Sequence, residues 1–207
     1  MEELFKTYTI NFNLSGDLEH DVTTFLTSNK FTNTARHSCR VGREAERLAH
    51  SFNYNGDIAK AAGLLHDISA VFPTHERAAI LEKLGLVVLK EEKIFPLIAH
   101  QRLSRVMAEE IFNIQDEEIL SAIECHTTLK GNASKMDQIV FVADKIEWDQ
   151  PGEPPYINRV KSQLEVSIGH AAFAYINYLW ERKENLKVIH PWLTEAYEDL
   201  KRKLLIR

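Results

Sequence analysis

Apolar positions recur along most of this chain at the three-to-four spacing that lays them on one face of an α-helix. Leu18, Val22, Phe25 and Leu26 share such a face, and Asp17 is placed to cap its first amides. Thr34 stands where it would cap a longer helix carrying Val41, Ala45, Leu48 and Ala49. After an Asn55-Gly56 turn and an Asp57 cap, Ile58 to Ala70 reads as one almost wholly apolar helix, interrupted only by Lys60, His66, Asp67 and Ser69. A helix apolar all round belongs at the centre of a domain. Pro73-Thr74 opens an amphipathic stretch ending at Gly85, Pro96 stands near the start of the next, and Asp116, Ser134 and Tyr156 begin further helices. Residues 1–16 differ, because Tyr8 to Leu14 alternate apolar and polar before Ser15-Gly16, the period of a weak strand or an arm. The pattern predicts an all-α fold: one domain of about nine or ten helices over residues 17–207, preceded by an N-terminal arm over 1–16.

Composition narrows the function classes. With 207 residues, 44% of them apolar and 27% charged, the chain can build one large core without needing a disulfide or an oligomer to fold. Its 25 basic and 30 acidic residues give a net charge of −5, which argues against a broad basic surface for nucleic acid or anionic membrane. The expected partner is a small molecule, with a homodimer left open. Two cysteines, Cys39 and Cys125, are too few for a disulfide framework and read as small buried apolar residues. The chain opens Met1-Glu2-Glu3 without a charged-then-apolar leader, and no apolar run approaches the ~20 residues of a spanning helix, so a cytoplasmic home is expected.

Nine histidines are unusual, and some of them stand where helix patterning puts the core. His66 and Asp67 interrupt Ala61 to Ile68, His100 follows Ile94 to Ala99, His126 follows Ile119 to Ile123, and Asp144 ends Ile139 to Ala143. His37 opens the apolar face that continues as Val41 and Leu48. A buried carboxylate or imidazole without a partner is costly, and one metal centre would partner all six. Their spacings of 29, 33, 26 and 18 positions match one or two helices each, so the six could converge from five helices. Asp67 has two oxygens and could bridge two ions. Four imidazoles and two carboxylates without a thiolate suit iron or manganese better than a closed structural zinc site.

At these residues the sequence resembles the HD-domain superfamily, and within it the YqeK-type hydrolases that split diadenosine tetraphosphate symmetrically into two ADP. The resemblance is carried by His37, Ala62-Gly63-Leu64-Leu65-His66-Asp67, His100, Ile123-Glu124-Cys125-His126-Thr127-Thr128 and Phe141-Val142-Ala143-Asp144-Lys145-Ile146-Glu147, with Ile189-His190-Pro191 near the end. It spans Thr34 to Leu200. It implies an HD-type helical bundle, two divalent metal ions, iron or else manganese, and a nucleotide polyphosphate substrate cleaved by a metal-bridging hydroxide. In that scheme Asp67 bridges the ions, His37, His66 and Asp144 hold one, and His100 and His126 hold the other. Lys145 is expected to act with Asp67 in catalysis and, with Arg40, to grip phosphate oxygens, while Thr127 hydrogen-bonds phosphate and Trp148 stacks on the base. Two departures weaken the expected phosphate grip: Ala70 and Gln150 stand where the family tends to carry a lysine and an arginine.

The remaining histidines read differently. His20, His50, His75 and His170 lie on polar or mixed faces as surface residues, and His190, before Pro191, caps a helix. Two other functions stay open at this point: a mononuclear HD nucleotidase, which has no need of His100 and His126, and a nucleotide-binding regulator with weak or no catalysis.

Overall fold

The computed structural model describes residues 2–205; Met1, Ile206 and Arg207, the ends of the two expected segments, lie outside them. In chain order the helices are α1 (Glu2–Phe5), α2 (Leu18–Ser28), α3 (Thr32–Ser51), α4 (Gly56–Leu65), α5 (Arg77–Lys83), α6 (Lys90–Ile94), α7 (His100–Phe112), α8 (Glu117–Cys125), α9 (Lys135–Ile146), α10 (Ile157–Leu164), α11 (Ile168–Trp180) and α12 (Pro191–Leu205). There is no strand among the described residues, and ten of the twelve helices have seven residues or more. The fold is the expected all-α bundle.

Short polar side chains set several helix starts by accepting the free amides of the first turn. Asp17 does this for α2, Asp116 for α8 and Ser134 for α9. Two expected caps move. The amide of Ala35 already reaches the Phe31 carbonyl at 2.9 Å, so α3 is running before Thr34. Asn55, not Asp57, caps α4: its side-chain oxygen accepts the amides of Asp57 at 3.0 Å and Ile58 at 3.3 Å.

The larger correction concerns the central helix, which stops at Leu65 instead of continuing to Ala70. Asp67 leaves helical geometry at φ −114°, ψ 16°, and Ile68–Val71 follow as a 3-10 turn. Tertiary hydrogen bonds hold this break. The Ser69 amide donates to Ser104 Oγ at 3.2 Å, and the Ser69 hydroxyl donates to the His100 carbonyl at 2.8 Å, tying the turn to α7. The stretch after Pro73 likewise divides, into a 3-10 turn over Thr74–Glu76 and then α5.

The expected strand is absent. Residues 6–16 run as turns and irregular chain, in which Tyr8 and Phe12 pack against the core while Ile10 and Leu14 stay exposed. Phe12 meets Phe25 and Phe112 with ring centroids 5.4 and 5.6 Å apart, and Tyr8 lies edge-on to Phe72 at 4.7 Å.

At the centre, Ile139 to Ala143 of α9 are each at most 1% exposed. Helix α9 touches α3, α4, α8, α10 and α11, while α4 also meets α7. A close approach seats α3 against α4: a Cβ on Gly63 would fall 2.8 Å from the Gly42 Cα. Cys125 is buried as expected, but Cys39 is only half-buried, with its sulfur 3.5 Å from the Thr23 hydroxyl. No helix among the described residues is long and apolar enough to cross a membrane.

Candidate metal centre

Helices α3, α4, α7, α8 and α9 bring His37, His66, Asp67, His100, His126 and Asp144 to one locus. His37 lies in the second turn of α3, His66 and Asp67 at the break after α4, and His100 at the start of α7. His126 closes α8, and Asp144 stands in the last turn of α9. Three overlapping groups have ligand atoms within 4.8 Å of one another: His37, His66 and Asp67; His66, His126 and Asp144; Asp67, His100 and His126.

Backbone carbonyls fix the rings. Nδ1 of His66, His100 and His126 lies 2.7, 2.6 and 2.8 Å from the carbonyl oxygens of Gly63, Leu97 and Ile123. A carbonyl only accepts, so each Nδ1 carries its proton, and in the neutral ring Nε2 is left as a lone pair. Those lone pairs converge. Nε2 of His37 and His66 lie 3.3 Å apart, while Nε2 of His100 and His126 face each other as lone pairs at 2.8 Å. Facing lone pairs repel unless a cation lies between them, so the donor set fits a metal.

Carboxylates complete the set. Asp67 turns Oδ2 toward His66 Nε2 at 3.5 Å and Oδ1 toward His100 and His126 at 3.2 and 3.6 Å. Asp144 Oδ1 lies 3.1 Å from His37 and 3.5 Å from His66. Burial pushes the His66 imidazole down, but Asp67 and Asp144 outweigh it and hold the group at about 9. At His126 burial again leads, the neighbouring His100 and His66 add to it, and the group falls to about 4. Burial works against ionisation of Asp67 and Asp144, yet His66, with His100 and His126 for Asp67, and Lys145, with His37 and His66 for Asp144, carry both well below the usual carboxylate range. The side chains of Asp67, Asp144 and His100 keep 27, 15 and 13% of their exposure while His66 keeps none, so the centre opens to solvent on the first three.

The other expected site residues are placed less uniformly. Thr127 joins the centre, its hydroxyl 3.1 Å from His100 Nε2. The Lys145 ammonium is buried against Asp144 Oδ2 and donates to the His126 carbonyl at 3.2 Å. These contacts hold the ammonium beside the Asp144 carboxylate and the His126 turn. Arg40 is exposed and pairs with Glu147 at 3.0 Å. Trp148 packs against the core and lies edge-on to Tyr156 at 6.1 Å. Gln150 is exposed.

Of the remaining histidines, His20, His50 and His75 are exposed, and His170 is half-buried on the Ser167 hydroxyl. His190 caps α12, its Nδ1 accepting the Trp192 amide at 3.2 Å, and is 1% exposed. It also lines a cavity of about 160 Å³ with Phe95, Ile98, Thr127, Tyr175 and Leu179, directly beside the centre.

Sequence reading passed over the residues that assemble the centre. Buried Gln101 accepts the amides of Thr127 and Thr128 at 3.0 and 3.3 Å and donates to the Thr128 hydroxyl at 3.0 Å. Helix α7 therefore holds the His126 turn through Gln101 and the His66-Asp67 turn through the Ser104 hydroxyl and the His100 carbonyl. The available signal was the polar pair Gln101 and Ser104, three apart on a face continued by Met107 and Ala108.

An all-α bundle enclosing four imidazoles and two carboxylates defines a metal-dependent hydrolase of the His-Asp type. A profile of the HD domain matches residues 34–149. The chain belongs to the HD-domain family, alongside its YqeK-type members. An uncharacterized protein in the pepC 5' region of Lactococcus lactis subsp. cremoris is 49% identical over 146 residues, covering 70% of this chain and 74% of that one. A symmetrical bis(5'-nucleosyl)-tetraphosphatase of Staphylococcus aureus is 34% identical over 115 residues, 54% of this chain and 57% of that one. A crystal structure from Clostridium acetobutylicum, of a predicted HD superfamily hydrolase involved in NAD metabolism, superposes with a TM-score of 0.81. It is 26% identical, and the match covers 89% of this chain and 97% of that one.

Proposed function

We propose that this protein hydrolyses dinucleoside polyphosphates at a two-metal centre and splits diadenosine tetraphosphate symmetrically into two ADP. The observation that carries the reading is the division of Asp67, with Oδ2 toward His66 and Oδ1 toward His100 and His126. One carboxylate facing two imidazole sets is suited to two ions. His37, His66 and Asp144 would hold the first, His100 and His126 the second, and Asp67 both; nitrogen and oxygen donors without thiolate favour iron or manganese. When bound, such ions supply a nucleophile from water at neutral pH and neutralise phosphoryl charge.

The chain's own groups serve binding and orientation. The Thr127 hydroxyl, between His100 and the adjoining cavity, is placed to donate to a phosphate oxygen. Phe95, Ile98, Tyr175 and Leu179 give that cavity apolar walls suited to a nucleoside. Nearby side-chain nucleophiles are otherwise engaged, since the Ser69 hydroxyl is bonded to the His100 carbonyl and the Cys125 thiol is buried. Water oxygen therefore bonds to phosphorus directly, the central phosphoanhydride bond breaks, and its bridging oxygen leaves with the second ADP. The name of the Staphylococcus aureus relative, a symmetrical bis(5'-nucleosyl)-tetraphosphatase, supports this substrate class.

Incubation of the metal-loaded protein with diadenosine tetraphosphate in oxygen-18 water tests the reading. ADP should be the only nucleotide product, with one label per substrate cleaved. AMP plus ATP would overturn symmetrical cleavage, and release of adenosine from AMP would favour the mononuclear nucleotidase.

A further inference from the structure

Arginine in this chain is normally paired. Eight described arginines have a carboxylate oxygen within 4.0 Å. Arg36 has none but is exposed. Arg77 is the one buried guanidinium among the described residues without a carboxylate, at 7% exposure. Its Nε donates to the Phe72 carbonyl at 3.2 Å. No hydrogen bond to a described residue engages either terminal nitrogen, and both keep contact with solvent.

Its place in the chain explains what the charge can meet. From Asp67 the backbone makes the turn Ile68–Val71, passes Phe72-Pro73 and a second turn, and reaches Arg77 as the first residue of α5, whose guanidinium reaches back to the Phe72 carbonyl. Phe72, whose carbonyl holds Nε, is itself wedged by Phe5 and Tyr8 with ring centroids 6.1 and 4.7 Å away, so the N-terminal arm braces this contact. Residues 68–76 contain no lysine or arginine, which leaves Arg77 as the first strong base after the His-Asp pair. Burial pulls the guanidinium down, and Asp67 is the charge that opposes it.

A largely buried guanidinium with no carboxylate in contact is poorly compensated, and one held at Nε still offers two coplanar terminal nitrogens, the fork that suits phosphate oxygens. We propose that Arg77 is the phosphate-gripping cation of this centre, receiving non-bridging oxygens of the phosphate chain at the solvent-open side of Asp67. This rests on the reading of the centre as one that takes a nucleotide polyphosphate. It gives Arg77 the task that the buried contacts of Lys145 and the Glu147 pairing of Arg40 leave unfilled.

The test is ADP binding by calorimetry to metal-loaded, full-length wild type, Arg77→Gln and Arg77→Lys at matched metal content, with melting temperatures alongside. Loss of charge-assisted hydrogen bonds should weaken ADP about tenfold in Arg77→Gln and less in Arg77→Lys, and raise KM for diadenosine tetraphosphate in the same order. A merely structural role would lower the melting temperature and leave ADP affinity within twofold of wild type, which would overturn the assignment. If Arg77→Gln does not fold, wild type decides: the guanidinium resonance of Arg77 should shift as ADP is added, and a signal unmoved at saturation would sink the proposal. Wild type that binds ADP through Arg77 but cleaves no tetraphosphate overturns the proposed reaction and leaves Arg77 standing. Normal tetraphosphate cleavage with Arg77→Gln binding ADP like wild type does the reverse.

Discussion

Gln101 Oε1 accepts the backbone amide of Thr127 at 3.0 Å, joining the start of α7 to the turn that follows His126. Adjacent in sequence, His100 and Gln101 thus reach the same turn by different means, one meeting the His126 ring and the other holding its backbone. Gln101→Leu keeps the volume but leaves the amides of Thr127 and Thr128 without an acceptor, at a cost of about 1–3 kcal/mol. Urea unfolding should show that loss, and elemental analysis should show metal retained less well than in wild type. A variant with unchanged metal content and unchanged stability would mean that the turn does not depend on Gln101.

Contact between α3 and α4 makes a second expectation. At Gly63 an added methyl would meet Gly42 Cα at 2.8 Å, Gly42 N at 2.9 Å and the Val41 carbonyl carbon at 3.0 Å, all backbone atoms that cannot turn aside. Alanine should gain about 1 kcal/mol in helix propensity, but separating the helices should cost about 1–3 kcal/mol, and more if the backbone cannot yield. Gly63→Ala should therefore be net destabilised. It should also lose metal, because His37 and His66 ride on the two helices being separated. Higher stability with full metal content would show that the approach has slack.

Much of this was legible in the sequence because a polar residue inside an apolar run is a local signal. His66, Asp67, His100, His126 and Asp144 all stand out this way, and the caps Asp17, Asp116 and Ser134 are equally local. What periodicity cannot register is a tertiary hydrogen bond that overrules it. Ile68 to Ala70 continue the apolar pattern of α4, yet Ser69 bonds to α7 and the helix ends first. Helix α6 was hidden because Lys90-Glu91-Glu92-Lys93 looks solvated, whereas Glu92 is fully buried against Arg102 at 2.9 Å. Arg77 was invisible for a related reason: an arginine at the start of an amphipathic helix declares neither its burial nor its missing partner.

Metal counting separates the two halves of the centre. Asp67 faces both imidazole sets, so Asp67→Ala should lose both ions, whereas His100→Ala should lose mainly one, since His37, His66 and Asp144 remain on the other side. Elemental analysis of protein purified anaerobically without chelator should find close to two ions per wild-type chain and about one in His100→Ala. No more than one in wild type would contradict the binuclear reading. Circular dichroism should show both variants still helical, because the helices are held by an apolar core built elsewhere.

Acid stability can be traced to Asp199 on α12, which accepts the Asn132 amide at 3.1 Å and pairs with Arg202 and Lys203 at 2.9 and 2.7 Å. Burial raises the Asp199 carboxyl, but Lys203, Arg202 and the Asn132 amide together bring it below its ordinary value of 3.8. A carboxyl depressed in the folded state stabilises the fold above its unfolded pKa and loses that contribution as pH falls through the folded value. Asp199→Asn should therefore be less stable than wild type at pH 7, by about 1 kcal/mol or less, because Arg202 and Lys203 are largely solvated. The gap should stay constant from pH 5 upward and close below about pH 4, since wild type then loses what the variant never had. Urea unfolding of both proteins across that range measures it. A gap that persists undiminished at pH 2.5 would show that the Asn132 contact acts through geometry alone, without the carboxylate charge, in holding the turn that leads into α9 and Asp144.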